Sequence, residues 1–249
     1  MESKNLEAMR VAILATDDFE EAELVEPRKA LEKAGAETIL IAPHPGEIQA
    51  MNHDEKTIKI EVDRTLDEAD ADDFDAVLLP GGALNADALR VVEAAQEFVR
   101  SIDKSGKPIA VICHAPWLLV SSDLMDGRTI TSYHTIQDDI RNAGGNWVDK
   151  EVVRDENWVS SRQPSDIPAF NREMTKLFRE QSARDFDEAQ VGDIVDDRRA
   201  IRVEKHDLHF GRDSRCDLSA LHRRTQGGDR RLVEGPLLGE LRRRPREIR

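Results

Sequence analysis

Cysteine is scarce in this chain, with Cys113 and Cys216 the only two among 249 residues. Two thiols so far apart give neither a disulfide framework nor a metal-ligand spacing. Long apolar runs are also missing, and none approaches the roughly 18–20 residues that a membrane-spanning helix needs. The first ten residues, MESKNLEAMR, place no apolar stretch behind a basic cluster, so no secretory signal is expected there. An excess of basic charge is absent too. Fifty Asp and Glu against 36 Lys and Arg leave a formal charge of −14, which argues against a general nucleic-acid binder with a basic face. These absences point to a soluble cytoplasmic protein, and the length is enough to bury a real core.

The charge that is present is unevenly spread. Residues 1–180 carry 36 acidic and 20 basic side chains, whereas residues 181–249 carry 14 and 16. The second segment has 15 Arg and one Lys, no sustained period, and runs such as Arg242-Arg243-Arg244-Pro245-Arg246 that belong to solvated chain. Residues 181–249 are therefore expected to be an Arg-rich, aperiodic tail without its own core. A nucleic-acid or acidic-partner arm is the functional rival, weakened by the interleaved acids.

Residues 1–180 alternate short apolar runs with amphipathic stretches, the pattern of a parallel sheet flanked by helices. The strands expected are Val11 to Ala15, Thr38 to Ala42, Ala76 to Leu79 and Ile109 to Ile112, each nearly continuously apolar, as strands covered on both faces should be. Glu20 to Lys33 is expected to be a helix stopped by Gly35, Asp87 to Lys104 a second, and Ile167 to Phe178 a closing one. Ile58 to Val62 alternates as a short edge strand. Thr129 to Tyr133, Val152-Val153 and Trp158 to Ser160 are further strand candidates. The fold class expected is α/β, a doubly wound and mostly parallel sheet with helices on both faces.

Chemistry concentrates at three strand ends. Ile109 to Ile112 runs straight into Cys113-His114-Ala115-Pro116, so the thiol sits at a strand-to-helix turn, where such sheets open their crevices. A following helix N-terminus and a neighbouring His would both lower its pKa; an inert, buried core cysteine is the alternative. Pro80-Gly81-Gly82-Ala83 ends another strand, with glycines that let backbone N–H groups turn toward a ligand or an oxyanion; an ordinary turn would look the same. Asp17-Asp18-Phe19-Glu20-Glu21-Ala22-Glu23 follows the first strand. Most of these acids favour a helix N-terminus, but Glu20 and Glu23 share a face, and either can reach the crevice. Histidines 44 and 53 lie near Asp54 and Glu55 without a fixed helical spacing, so no metal site is expected.

Ile112-Cys113-His114-Ala115-Pro116, Pro80-Gly81-Gly82 and Phe19-Glu20-Glu21-Ala22-Glu23-Leu24-Val25-Glu26-Pro27 together resemble the PfpI intracellular-protease family. That family belongs to the superfamily of the parkinsonism-associated deglycase and the class I glutamine amidotransferases. Thr131-Ser132-Tyr133, Asp138 to Gly144 and Ser161 to Phe170 also match in order, so the resemblance covers about residues 9–180. It implies a flavodoxin-like three-layer sandwich, with Cys113 as nucleophile and Glu23 as the carboxyl group bonded to it, Glu20 being the runner-up. It further implies His114 as general base, Asp87 as an acid given to a neighbouring subunit's His, and Gly82 and Ala83, beside Gly81, as oxyanion donors. Tyr133 would line the crevice, and the protein would assemble as a dimer, trimer or hexamer.

A thiol with an acid, a His and an oxyanion pocket can add to an electrophilic carbonyl and form a hemithioacetal or thioester without a cofactor. The first expectation is thus glyoxalase or deglycase work in carbonyl-stress defence, on methylglyoxal or on glycated protein and peptide. An intracellular cysteine peptidase is the second, and a redox-sensing or holdase stress protein the third. Glutamine amidotransfer is not expected, because no His is followed two positions later by a Glu near the C-terminus. His134 is expected to be a surface residue.

Overall fold

A computed structural model of the chain describes residues 6–183. In chain order the elements are β1 (Arg10–Leu14), β2 (Phe19–Glu20), α1 (Glu21–Ala34), β3 (Glu37–Ala42), β4 (Glu47–Asn52), β5 (Glu55–Glu61), β6 (Arg64–Thr65) and β7 (Ala76–Leu79). There follow α2 (Ala83–Leu89), α3 (Glu93–Lys104), β8 (Ile109–Ile112), α4 (Pro116–Ser121), β9 (Thr129–Ile130), α5 (Gln137–Asn142), β10 (Asn146–Trp147), β11 (Val152–Asp155) and β12 (Trp158–Ser161). Residues 167–183 form α6. The expectation for the tail falls outside the described residues beyond 183.

Seven strands form the central sheet in the order β11-β12-β8-β7-β1-β3-β6. Neighbours run parallel except β11, which pairs antiparallel with β12. Successive residues of a strand face opposite sides, and the core divides accordingly. Val11 and Ile13 pack with Leu24 and Leu31 of α1 and with Phe170, Met174 and Phe178 of α6. Ala12 and Leu14 pack with Phe98, Val99 and Ile102 of α3 and with Leu118 and Leu119 of α4. Burial on both sides explains why these strands read as unbroken apolar runs. The doubly wound three-layer arrangement is the one expected.

Two local expectations are corrected, and the edge strand expected at Ile58 to Val62 is found over Glu55–Glu61. The helix expected over Asp87 to Lys104 is two helices, because Val92 is extended at φ −85° and ψ 110° and serves as the N-cap of α3. The β-branched pair Val91-Val92 disfavours helix there, and the Gln96 side chain takes up the freed Arg90 carbonyl at 2.7 Å. The strand expected over Thr129 to Tyr133 ends at Ile130 and pairs with β10, outside the central sheet. Beyond it, Thr131 N–H donates to Ser160 Oγ and Tyr133 N–H to the Cys113 carbonyl, which turns Tyr133 toward the end of β8. The Ile58 segment is an edge strand of a separate three-stranded sheet, β2-β4-β5, in a hairpin whose first strand is unmarked by apolar alternation in the sequence.

Candidate active site

Cys113 directly follows β8 and adopts φ 64°, a left-handed conformation uncommon for a residue with a side chain. Neighbouring backbone holds it there. Its N–H donates to the Ser161 carbonyl at 3.1 Å, its carbonyl accepts from Tyr133 at 2.9 Å, and Ala115 N–H closes the turn on Ile112 at 3.1 Å. The sharp turn lifts the thiol out of the sheet at its carboxyl edge, as in a nucleophile elbow.

Four groups surround the sulfur. The carboxyl group of Glu23 raises the pKa of the thiol, and the backbone N–H groups of Gly82 and His114 lower it. His114 Nδ1 lies 3.2 Å away. Glu23 projects from the first turn of α1 and is 0% exposed. Its Oε2 accepts from Gly81 N–H at 3.1 Å, while Oε1 has no hydrogen-bond partner. Burial, then the nearby charge of Glu20, pushes the Glu23 carboxyl up to about 8, against the hydrogen bonds from Cys113 and Gly81 that pull it down. The acid is therefore protonated at neutral pH and can donate to sulfur. Burial, followed by the charge of Glu23, also pushes the Cys113 thiol well above its usual range. Only one negative charge fits in so dry a space. The resting pair is a carboxylic acid and a thiol, with two N–H donors set to receive the charge when the sulfur ionises.

The glycines are dictated by approach distance. A Cβ on Gly81 would stand 2.5 Å from Cys113 Cβ and would also overlap the Glu23 carboxyl group. Gly82 has φ 92°, and a Cβ there would meet the Asp18 carbonyl at 2.6 Å. No larger residue lets this loop lie against the thiol.

His114 is half-buried, and burial, aided by His134, lowers its pKa, so the ring is neutral and able to accept a proton. Its Nε2 meets Thr135 Oγ at 3.2 Å. Tyr133 stacks on His114 with centroids 4.8 Å apart and on exposed His134 at 4.6 Å. Thr135 went unnoticed in the sequence because nothing in a single Thr announces a bond to a ring 21 positions away.

The expected site residues thus separate into groups. Cys113, His114, Glu23, Gly81 and Gly82 are brought together. Glu20 lines the same cavity but turns away, its Oε2 accepting from His53 N–H at 3.1 Å. Ala83 and Tyr133 line the cavity as well. Asp87 is exposed on α2 and does not line it. The cavity measures about 540 Å³, and Met51, His53, Gln163, Pro164 and Ser165 contribute walls that local sequence did not single out. His53 arrives from the β4–β5 hairpin, whereas His44 bonds Asp17 at 3.1 Å, so the two histidines serve separate contacts.

An elbow thiol at the carboxyl edge of a doubly wound sheet, backed by a buried carboxylic acid, defines a class of flavodoxin-like cysteine proteins. The chain belongs to the DJ-1/PfpI family, whose family model matches residues 9–177. A deglycase of Thermococcus kodakarensis is 42% identical over 171 residues, covering 69% of this chain and 100% of that protein. YraA of Bacillus subtilis, provisionally named a cysteine protease, is 41% identical over 170 residues, covering 68% of this chain and 98% of its own. Among solved structures, Drosophila melanogaster DJ-1beta superposes with a TM-score of 0.62 at 25% identity, covering 70% of this chain and 96% of that one.

Proposed function

We propose that the protein is a cofactor-independent cysteine enzyme of carbonyl-stress defence, acting as a glyoxalase or deglycase on methylglyoxal or on glycated protein and peptide. The observation that carries this reading is the elbow thiol of Cys113 set against a protonated, fully buried Glu23 and two backbone N–H groups. His114 takes the thiol proton as sulfur attacks the aldehyde carbon of methylglyoxal. The C–S bond forms, the carbonyl electron pair moves to oxygen, and the proton from His114 completes a hemithioacetal. Gly82 and His114 N–H groups, with Ala83 beside them, stabilise the developing oxyanion. A proton shift from the first to the second carbon converts the adduct to a lactoyl thioester. Addition of water then releases lactate and restores the thiol.

The test is direct. Purified protein mixed with methylglyoxal should form lactate, and Cys113→Ser should reduce the rate to background. Turnover that survives the substitution would remove Cys113 from the reaction. A peptidase reading stands second, supported by His114 Nδ1 at 3.2 Å from the sulfur and Thr135 on the ring's far side, a Cys–His–Thr series within one chain. Casein cleavage without lactate formation would put it first. Redox sensing stands third, and sulfinic acid at Cys113 with no dicarbonyl turnover would favour it.

The proposed assembly is a homo-oligomer. Leu84 and Val91, 62% and 77% exposed, flank Asp87 on one segment, which supports a second copy docking there and receiving that acid at its His114. A cytoplasmic location is likewise proposed. No helix among the described residues is long and apolar enough to cross a membrane.

A further inference from the structure

Asn85 takes no part in the chemistry above, yet it is 0% exposed and every polar atom of its side chain is engaged. Its Oδ1 accepts from Thr16 N–H at 2.8 Å, just beyond the end of β1. Its Nδ2 donates to the Pro80 carbonyl at 3.0 Å and to the Gly81 carbonyl at 2.9 Å. Each of those carbonyls shares a rigid, trans peptide plane with the N–H of the following residue, which points the opposite way. Holding the Pro80 carbonyl therefore aims Gly81 N–H, and that group donates to Glu23 Oε2. Holding the Gly81 carbonyl, which also accepts from Glu20 N–H at 3.4 Å, aims Gly82 N–H in a loop so close that a Cβ on Gly81 would stand 2.5 Å from Cys113 Cβ, and that N–H lowers the pKa of the thiol.

We propose that Asn85 is a positioning residue for the thiol, a carboxamide that orients two consecutive peptide planes so that one grips the Glu23 carboxyl group and the next grips the sulfur. Glycines at 81 and 82 make the loop close-fitting but also pliable, because they lack side chains to pin it. Asn85 supplies the missing restraint from the side away from substrate. It anchors that restraint on β1, which is hydrogen-bonded to β7 and so shares its frame. Thiol, carboxyl group and both N–H donors are thereby referred to one rigid sheet edge. This role rests on the proposed cysteine chemistry for its catalytic meaning, but not for its effect on the sulfur.

The test is Asn85→Leu, which keeps the number and branching of the side-chain heavy atoms and removes all three hydrogen bonds. Ionisation of Cys113 is read from the pH dependence of its alkylation by iodoacetamide, with the modified peptide resolved by mass spectrometry so that Cys216 does not contribute. The thiol pKa should rise by about one unit or more, since a donor to the charged form is lost. For methylglyoxal, kcat should fall about 10-fold or more while KM stays within about twofold. Asn85→Ala, which removes the same three hydrogen bonds with a smaller side chain, should give the same shift and provides the reading should the leucine variant not fold. A lower melting temperature with an unchanged thiol pKa would make Asn85 a simple packing residue and overturn the proposal. Loss of the fold in both variants would overturn it as well. Absence of dicarbonyl turnover in the unsubstituted protein would defeat the proposed function alone, because the alkylation profile still decides the role of Asn85.

Discussion

At the scale of single residues, Glu23 carries the most consequential physics. A carboxyl group with one N–H donor and one unpartnered oxygen is held in the dry interior chiefly as the neutral acid. The unfolded carboxyl group loses its proton near its ordinary value of 4.5, whereas in the folded protein burial delays that loss to about 8. Between these values the unfolded state binds fewer protons, so the contribution of Glu23 makes stability fall as pH rises. The whole difference is on the order of 5 kcal/mol by linkage. Glu23→Gln has no proton to lose. Urea unfolding should therefore show the variant gaining on the unsubstituted protein from pH 5 to pH 8, and parallel curves would mean that Glu23 is ionised in place. The residues by themselves left Glu20 and Glu23 open, since both share a face, and the family resemblance favoured Glu23. Glu20 is the N-cap of that helix and meets the β4–β5 hairpin, while Glu23 lies one turn deeper, under the Gly81 loop.

At the scale of elements, the termini of α1 show how local chemistry sets a boundary that the site depends on. Gly35 closes the helix at φ 106°, with its N–H on the Glu32 carbonyl at 3.0 Å. Gly35→Ala forces a side chain into the left-handed region and should cost about 1 kcal/mol. The expected result is a lower melting temperature with unchanged lactate formation per folded molecule, because the far end of α1 holds Glu23. The strands, α1 and α6 were legible because their apolar patterns are local and continuous. The break between α2 and α3 was not, since it depends on Gln96 reaching back to the Arg90 carbonyl, a contact that helical spacing alone does not foretell. β4 escaped notice for a similar reason: the register with β5 shifts between Gln49 and Met51, and only Ile48 and Ala50 of its six residues are buried.

At the scale of the whole molecule, the acidic charge of residues 1–180 extends into the cavity. Asp18 and Glu20 stand on its wall, and no Lys or Arg is among the lining residues. Neutral dicarbonyls should therefore enter more readily than anionic ones. Anionic glyoxylate, which can add the thiol but cannot isomerise, should inhibit glyoxal turnover with a Ki several-fold above that of neutral methyl glyoxylate, and added salt should narrow the gap by screening; equal values at low salt would show that the wall charges do not reach the substrate. The sequence alone determined that Cys113 and the paired glycines each end an apolar strand and that the candidate acids follow a third, because continuous apolar runs mark buried strands whatever their distant neighbours are. The choice of Glu23 over Glu20, the bond of His114 to Thr135, the entry of His53 and the grip of Asn85 on two peptide planes were decided only by tertiary structure. They depend on which strands pair, β1 with β7, β8 with β12 and β2 with β4. Directional hydrogen bonds of about 3 Å depend on that placement, whereas local propensity and periodicity do not.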